Sequence, residues 1–86
     1  MTSLPHLIAQ AKAQLSAMTG LEPASVTNVA RDGEGWRVTV ELVELRRIPV
    51  AQDVLGQYEA ELDSHGEVLT FHRKQVRLRA EVEGPE

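Results

Sequence analysis

The sequence has no cysteine, which excludes disulfides, thiolate metal sites, iron–sulfur clusters and cysteine nucleophiles. Aromatic side chains are nearly as scarce. Only Trp36, Tyr58 and Phe71 occur among 86 residues, so the core has to be built from Val, Leu, Ile and Ala. No apolar run approaches the ~18–20 residues needed to span a bilayer. The opening MTSLPHLIAQ has neither the basic region nor the continuous apolar stretch of a signal peptide. A soluble, cytoplasmic protein with no membrane association is expected. There is no excess of positive charge either: the net charge of −4 argues against a general nucleic-acid binder.

What is present is an ordinary globular balance, 42% hydrophobic and 26% charged, which argues against disorder. A chain this short forms one domain over residues 1–86 and buries roughly 60–65% of the surface its unfolded form exposes. Its charge is unevenly placed. Residues 21–70 carry ten acids against four arginines; residues 71–79 carry Arg73, Lys74, Arg77 and Arg79 with no acid.

Leu4, Leu7, Ile8, Ala11, Leu15 and Met18 form one helical stripe, which predicts an amphipathic helix over about 4–19. Ser3 is suited to the N-cap, Pro5 to the first turn and Gly20 to the C-terminal cap. Beyond Pro23 the period changes. Val26–Arg31 reads as a short strand, and Asp32-Gly33-Glu34-Gly35 as a hairpin turn. Trp36, Val38, Val40 and Leu42 then alternate with polar residues, as in a half-buried strand. Trp36 is expected to pack inward with Val38 rather than meet a ligand.

Val43 and Leu45 fall in the opposite phase, so either a bulge intervenes or the second face is also covered. Pro49 ends this strand. Residues 50–54 are expected to cap the core with Val50 and Val54 as anchors. A third strand places Gly56, Tyr58, Ala60 and Leu62 on one face. Asp63-Ser64-His65-Gly66 is the second turn. The last strand is expected to put Leu69 with Phe71, and Val68 with Thr70 and His72. The fold class is therefore α+β: an N-terminal helix packed on a four-stranded antiparallel sheet in an α-β-β-β-β meander. The sheet covers about 24–79, and 80–86 is a frayed tail.

Chemistry finds little footing. His6, His65 and His72 have no metal-type spacing. Glu59, Glu61 and Asp63 read as one solvated face rather than an acid–base pair, with Arg37 or Arg73 within cross-sheet reach; Glu41 and Glu44 flank a strand end. The serines have no nucleophile-elbow context, and no glycine cluster matches a phosphate-binding loop. A non-enzymatic protein without cofactor or metal is expected. Two basic features remain, Arg46-Arg47 and the run from Arg73 to Arg79. Such residues on an edge strand serve either to block edge pairing or to receive an acidic partner. Phe71 is the lone aromatic beside the run, so stacking on nucleic acid has little support.

The string Gly35-Trp36-Arg37-Val38-Thr39-Val40-Glu41-Leu42-Val43-Glu44, followed by Arg47-Ile48-Pro49, Asp53-Val54-Leu55, Tyr58-Glu59, Leu62-Asp63, Gly66-Glu67-Val68 and Phe71 with Arg73, resembles the gas vesicle accessory protein O family (GvpO). So does the helix end Leu15-Ser16-Ala17-Met18-Thr19-Gly20. The resemblance covers roughly residues 9–79. It departs at Val76-Arg77-Leu78-Arg79, which has the family's arginines but not the tyrosine and glycine of its R-Y-x-R-G-like close.

The resemblance implies a non-enzymatic accessory role in gas vesicle assembly. The implied partners are the shell protein and other accessory proteins, and the implied location is the cytoplasm or the vesicle itself. Arg46, Arg47, Tyr58, Arg73, Arg77 and Arg79 are the expected partner contacts, and an exposed edge strand leaves a homodimer open. Two other readings stand beside it: a nucleic-acid-binding regulator of gas vesicle genes, and a small ligand-binding or inhibitory domain.

Overall fold

Residues 3–79 are described by the structure, a computed structural model; the tail expected over 80–86 lies outside the described residues. Leu4–Thr19 form helix α1. The Ser3 hydroxyl accepts the His6 N–H at 3.3 Å, which satisfies one of the free donors at the helix start. Gly20 closes the helix at φ 77°, the left-handed region that glycine enters without steric cost, and donates its N–H to the Ser16 carbonyl at 2.8 Å. Leu7, Ala11 and Leu15 are buried. Leu4 and Met18, at the two ends of the stripe, stay about half exposed.

Four antiparallel strands follow in spatial order β1-β2-β3-β4: β1 Glu22–Asp32, β2 Gly35–Leu45, β3 Val54–Leu62 and β4 Val68–Leu78. The meander is the one expected. β1 is longer than the Val26–Arg31 segment anticipated, because irregularities at Pro23/Ser25 and Val26/Asn28 absorb residues that break its alternation. Pro23 is tolerated since β1 is an edge and owes no hydrogen bond on its outer side.

Directly opposed residues share a face. Val38 faces Ala60, Val40 faces Tyr58 and Leu42 faces Gly56. Val38, Val40, Leu42, Ala60 and Leu62 join Leu7, Ala11 and Leu15 in the core, and Trp36 packs against its margin with the Arg31 guanidinium 4.7 Å from its ring centre. Both options raised by the phase change at Val43 occur. The ladder slips between Val43 and Leu45, and the opposite face is buried too, at Thr39, Glu41 and Val43.

Two expectations about side-chain placement are corrected. In β4, Leu69 does not share a face with Phe71. The ladder runs Leu62 to Val68, Glu61 to Thr70 and Ala60 to Phe71, so a bulge at Leu69 puts Val68 and Phe71 on the helix side. Leu69 is left mostly exposed. In the β2–β3 connection, Val50–Gln52 form a single 3-10 turn, and Val50 does not anchor it. Val50 is 59% exposed, while Asp53 is the buried residue at 1%. A carboxylate organises this loop instead of a hydrophobe.

Gln14 fixes the helix to the second hairpin. Its amide nitrogen donates to the Gly66 carbonyl at 2.6 Å, and its amide oxygen accepts the Val68 N–H at 2.9 Å. The helix thus lies over β1 and β2 and meets β4 near its start.

Gly35 opens β2 against the backbone of β3, where an added Cβ would overlap the Leu62 carbonyl oxygen. The backbone itself has to move, so Gly35→Ala is expected to lower unfolding free energy by about 1–3 kcal/mol or more. Gly33→Ala meets open space and is penalised only by its φ of 63°, about 1–2 kcal/mol. Urea titrations of both variants check the order; a Gly35→Ala protein as stable as wild type would contradict the close strand contact.

Candidate interaction surface and the carboxylates beneath it

The six residues expected to contact a partner do not form one patch. Three acidic side chains divide them. The first is Glu41, at the middle of β2 and 2% exposed. Arg77 of β4 donates to both of its oxygens, from Nε at 2.7 Å and from Nη2 at 3.0 Å. Gln57 of β3 donates at 3.1 Å and Ser25 of β1 at 3.2 Å. One carboxylate is therefore bound by side chains from the three other strands, on the face opposite the helix. The Arg77 hydrogen bonds hold the Glu41 carboxyl below its ordinary range. Burial opposes this, and Gln57 and Ser25 reinforce it.

The second is Asp53. Its Oδ1 accepts the Arg47 N–H at 2.7 Å and its Oδ2 the Arg79 Nη2 at 3.3 Å, while Arg46 Nη1 lies 3.8 Å away. The backbone joins in: Asp53 N–H donates to the Val50 carbonyl, and Arg79 N–H to the Asp53 carbonyl. The Arg47 N–H is the main cause of a lowered Asp53 carboxyl pKa, with burial opposing and Arg79 and Arg46 adding to it. The loop over 46–52 is thereby fixed at both ends. Arg46 also pairs with Glu22. The Arg47 side chain makes no ion pair among the described residues. Beside it Ile48 is 98% exposed and Val50 59%.

The third is Glu44, in the β2 bulge. It accepts the Tyr58 hydroxyl at 2.6 Å and Arg73 Nη1 at 2.8 Å, on the helix side of the sheet. Burial first, and then Glu44, push the Tyr58 hydroxyl pKa up. Arg73 and Tyr58 therefore lie on one face and Arg77 on the other. Arg46, Arg47 and Arg79 meet at the loop end.

Glu59, Glu61 and Asp63 are not equivalent. Glu59 is half-buried, 3.9 Å from Arg37 and 3.6 Å from His72; Glu61 is exposed. Asp63 accepts the N–H groups of His65 and Glu67 at 2.9 and 3.0 Å, which shapes the second turn and lowers its pKa, the Glu67 N–H contributing most. Among the described residues no cluster of three metal-ligating side chains occurs.

Glu41 and Asp53 are the residues that reading along the chain missed. Glu41 looked like a strand-end carboxylate, yet it stands inside the apolar run Val38–Val43, where a charge requires a partner. No comparable pattern marks Asp53, because its partners come from the loop and from the far end of β4.

Comparison with known proteins follows the same segment. The family model described as gas vesicle synthesis protein GvpO matches residues 1–83. A gas vesicle protein O of Streptomyces sp. (strain CB03234) is 44% identical over 61 residues, covering 71% of this chain and 48% of that protein. A gas vesicle protein O of Haloferax mediterranei is 48% identical over 42 residues, 49% of this chain and 30% of that protein. Gas vesicle protein O1 of Halobacterium salinarum is 39% identical over 65 residues, 73% of this chain and 55% of that protein. The chain thus spans about half the length of these relatives or less. No solved structure matches it.

The Glu41 cluster makes a pH-dependent prediction. Glu41→Gln leaves the Arg77 guanidinium without its anion and is expected to cost roughly 1–3 kcal/mol at neutral pH. Because the folded pKa lies below the ordinary 4.5, the stabilisation is fully present above that value. It is lost as pH falls through the lower folded value. The gap between wild type and variant, from urea curves at pH 7, 5 and 3, should stay constant over the first step and shrink over the second. A gap that is unchanged at pH 3 would contradict the assignment.

Proposed function

We propose a function from one premise: the chain belongs to the GvpO family of gas vesicle synthesis proteins. It acts there as a non-enzymatic accessory, by contact with shell protein or with other accessory proteins. Its place of action is the cytoplasm and the surface of the forming vesicle. Aggregation-prone shell protein gains from a small acidic companion that holds it transiently.

The observation that supports this reading is the loop over 46–52. Asp53 holds its backbone, so Arg47, Ile48 and Val50 project from a pre-ordered segment. A binding loop ordered beforehand loses little conformational freedom on docking. Arg46 can exchange its exposed Glu22 partner for a carboxylate on another protein at small cost, since exposed ion pairs are worth about 0–1 kcal/mol. The same arrangement weighs against the nucleic-acid reading. Arg73, Arg77 and Arg79 are engaged by Glu44, Glu41 and Asp53 rather than spread as a phosphate-binding stripe.

The test is a pull-down from a gas-vesicle-producing lysate, with salt as the variable. Wild-type bait should recover shell or accessory proteins and lose them as salt rises. Reversing both Arg46 and Arg47 to Glu should reduce recovery by about tenfold, with far-UV circular dichroism unchanged. Recovery by the double variant equal to wild type would remove docking at this loop. Recovery of nucleic acid in place of protein would move the role to regulation.

A further inference from the structure

Three guanidinium groups gather at the loop end of the sheet. Arg46, Arg47 and Arg79 stand there against two carboxylates, Asp53 and Glu22, so one positive charge is in excess. The Arg47 side chain makes no ion pair among the described residues. The Arg79 Nε is buried and makes no hydrogen bond among them either, although an unsatisfied buried donor is costly. Arg46 does pair with Glu22, but both side chains are more than half exposed. Such a pair is readily exchanged for another.

The chain supplies acids at this same place. β4 leaves the sheet beside the loop: the Arg79 N–H donates to the Asp53 carbonyl at 2.8 Å, and the Asp53 carboxylate holds the Arg47 N–H at 2.7 Å. The next residues are Ala80-Glu81-Val82-Glu83-Gly84-Pro85-Glu86, with three acids and no base. A chain extends at most about 3.6 Å per residue, so Glu81 stays within about 7 Å of Arg79, Glu83 within about 14 Å and Glu86 within about 25 Å. A tether this short presents a group at a roughly millimolar effective concentration. The other cations of β4 compete poorly for these acids. Arg73 and Arg77 are bound by Glu44 and Glu41, and Lys74 lies roughly 17 Å back along the strand.

We propose that residues 80–86 are an internal competitor for the 46–52 loop. In the unbound protein Glu81, Glu83 and Glu86 engage Arg46, Arg47 and the Arg79 Nε, and an acidic partner has to displace them. The proposal rests on the reading of that loop as a docking surface and supplies its regulation. A partner that offers only a scattered carboxylate is excluded by the tethered acids. One that offers several carboxylates, with an apolar residue for Ile48, is admitted.

The first test needs no partner. The sequence has no cysteine, so Gly84→Cys carries a nitroxide on the sole thiol. In 15N-labelled protein the amides of Arg47, Ile48 and Val50 should be broadened at low salt and recover at about 0.5 M salt. Reversing Arg46 and Arg47 to Glu should remove that salt dependence. Broadening that ignores both salt and the reversal would overturn the proposal. So would equal broadening when the nitroxide and the 15N label sit on different molecules, because the acids would then reach a second copy.

The second test reads competition by fluorescence anisotropy, with a labelled peptide of ten glutamates as the probe. Glu81→Gln/Glu83→Gln/Glu86→Gln should bind it about three- to tenfold more tightly than wild type. Glu34→Gln/Glu61→Gln/Glu67→Gln removes the same charge from exposed positions at the opposite end of the sheet, and should bind within about twofold of wild type. Equal gains in the two variants, or no gain in the first, would overturn the proposal. If the contact and the gain both appear while the lysate pull-down recovers nothing, the proposed function fails and the internal competition stands.

Discussion

The bidentate pair between Glu41 and Arg77 is the constraint on which the outer half of this sheet depends. A carboxylate in the middle of β2 has to be satisfied once it is buried, since an unpaired buried charge costs several kcal/mol. Its donors come from β1, β3 and β4, so satisfying it fixes the strands laterally as well as by their ladders. β4 gains most. It is an edge strand, its side chains are largely exposed, and α1 touches it only at its start. The pair supplies side-chain register to a strand that hydrophobic burial alone would leave weakly specified.

The two faces of the sheet are thus held by different physics. On the helix side the driving force is burial of aliphatic surface: Leu7, Ala11 and Leu15 against Val38, Val40, Leu42, Ala60 and Leu62. On the other side it is charge-assisted hydrogen bonding, short and directional. A chain of 86 residues with three aromatic side chains has limited apolar area to bury. Spreading buried carboxylates over the open face and the loop end orders parts of the molecule that the small core does not reach.

The same economy shapes the exterior. Most of the basic residues that make β4 look like a cationic surface are internal partners of Glu44, Glu41 and Asp53. What remains outward is more selective: a loop pinned by Asp53 that displays Arg47 and Ile48, and a short apolar strip at Phe71, Val76 and Leu78 of β4. Membership in a gas vesicle synthesis family gives these surfaces their context.

The amino-acid sequence by itself determined the element order, the helix ends and both turns. Each is a local property: the stripe from Leu4 to Met18, Ser3 and Gly20 as caps, and glycines where φ turns positive. It also determined which face of β2 meets the helix, because alternation is read directly from Val38, Val40 and Leu42. The family, too, was legible in the central string from Gly35 to Glu44.

Only the tertiary structure decided the slip at Leu69, the length of β1 and the partners of Glu41, Glu44 and Asp53. Bulges change register without changing composition, and ion pairs join residues up to 36 positions apart. Arg77 and Arg46 look alike along the chain. They differ because one binds buried Glu41 through both of its oxygens, while the other pairs with exposed Glu22 and only approaches buried Asp53 at 3.8 Å, and burial is a property of the packed sheet.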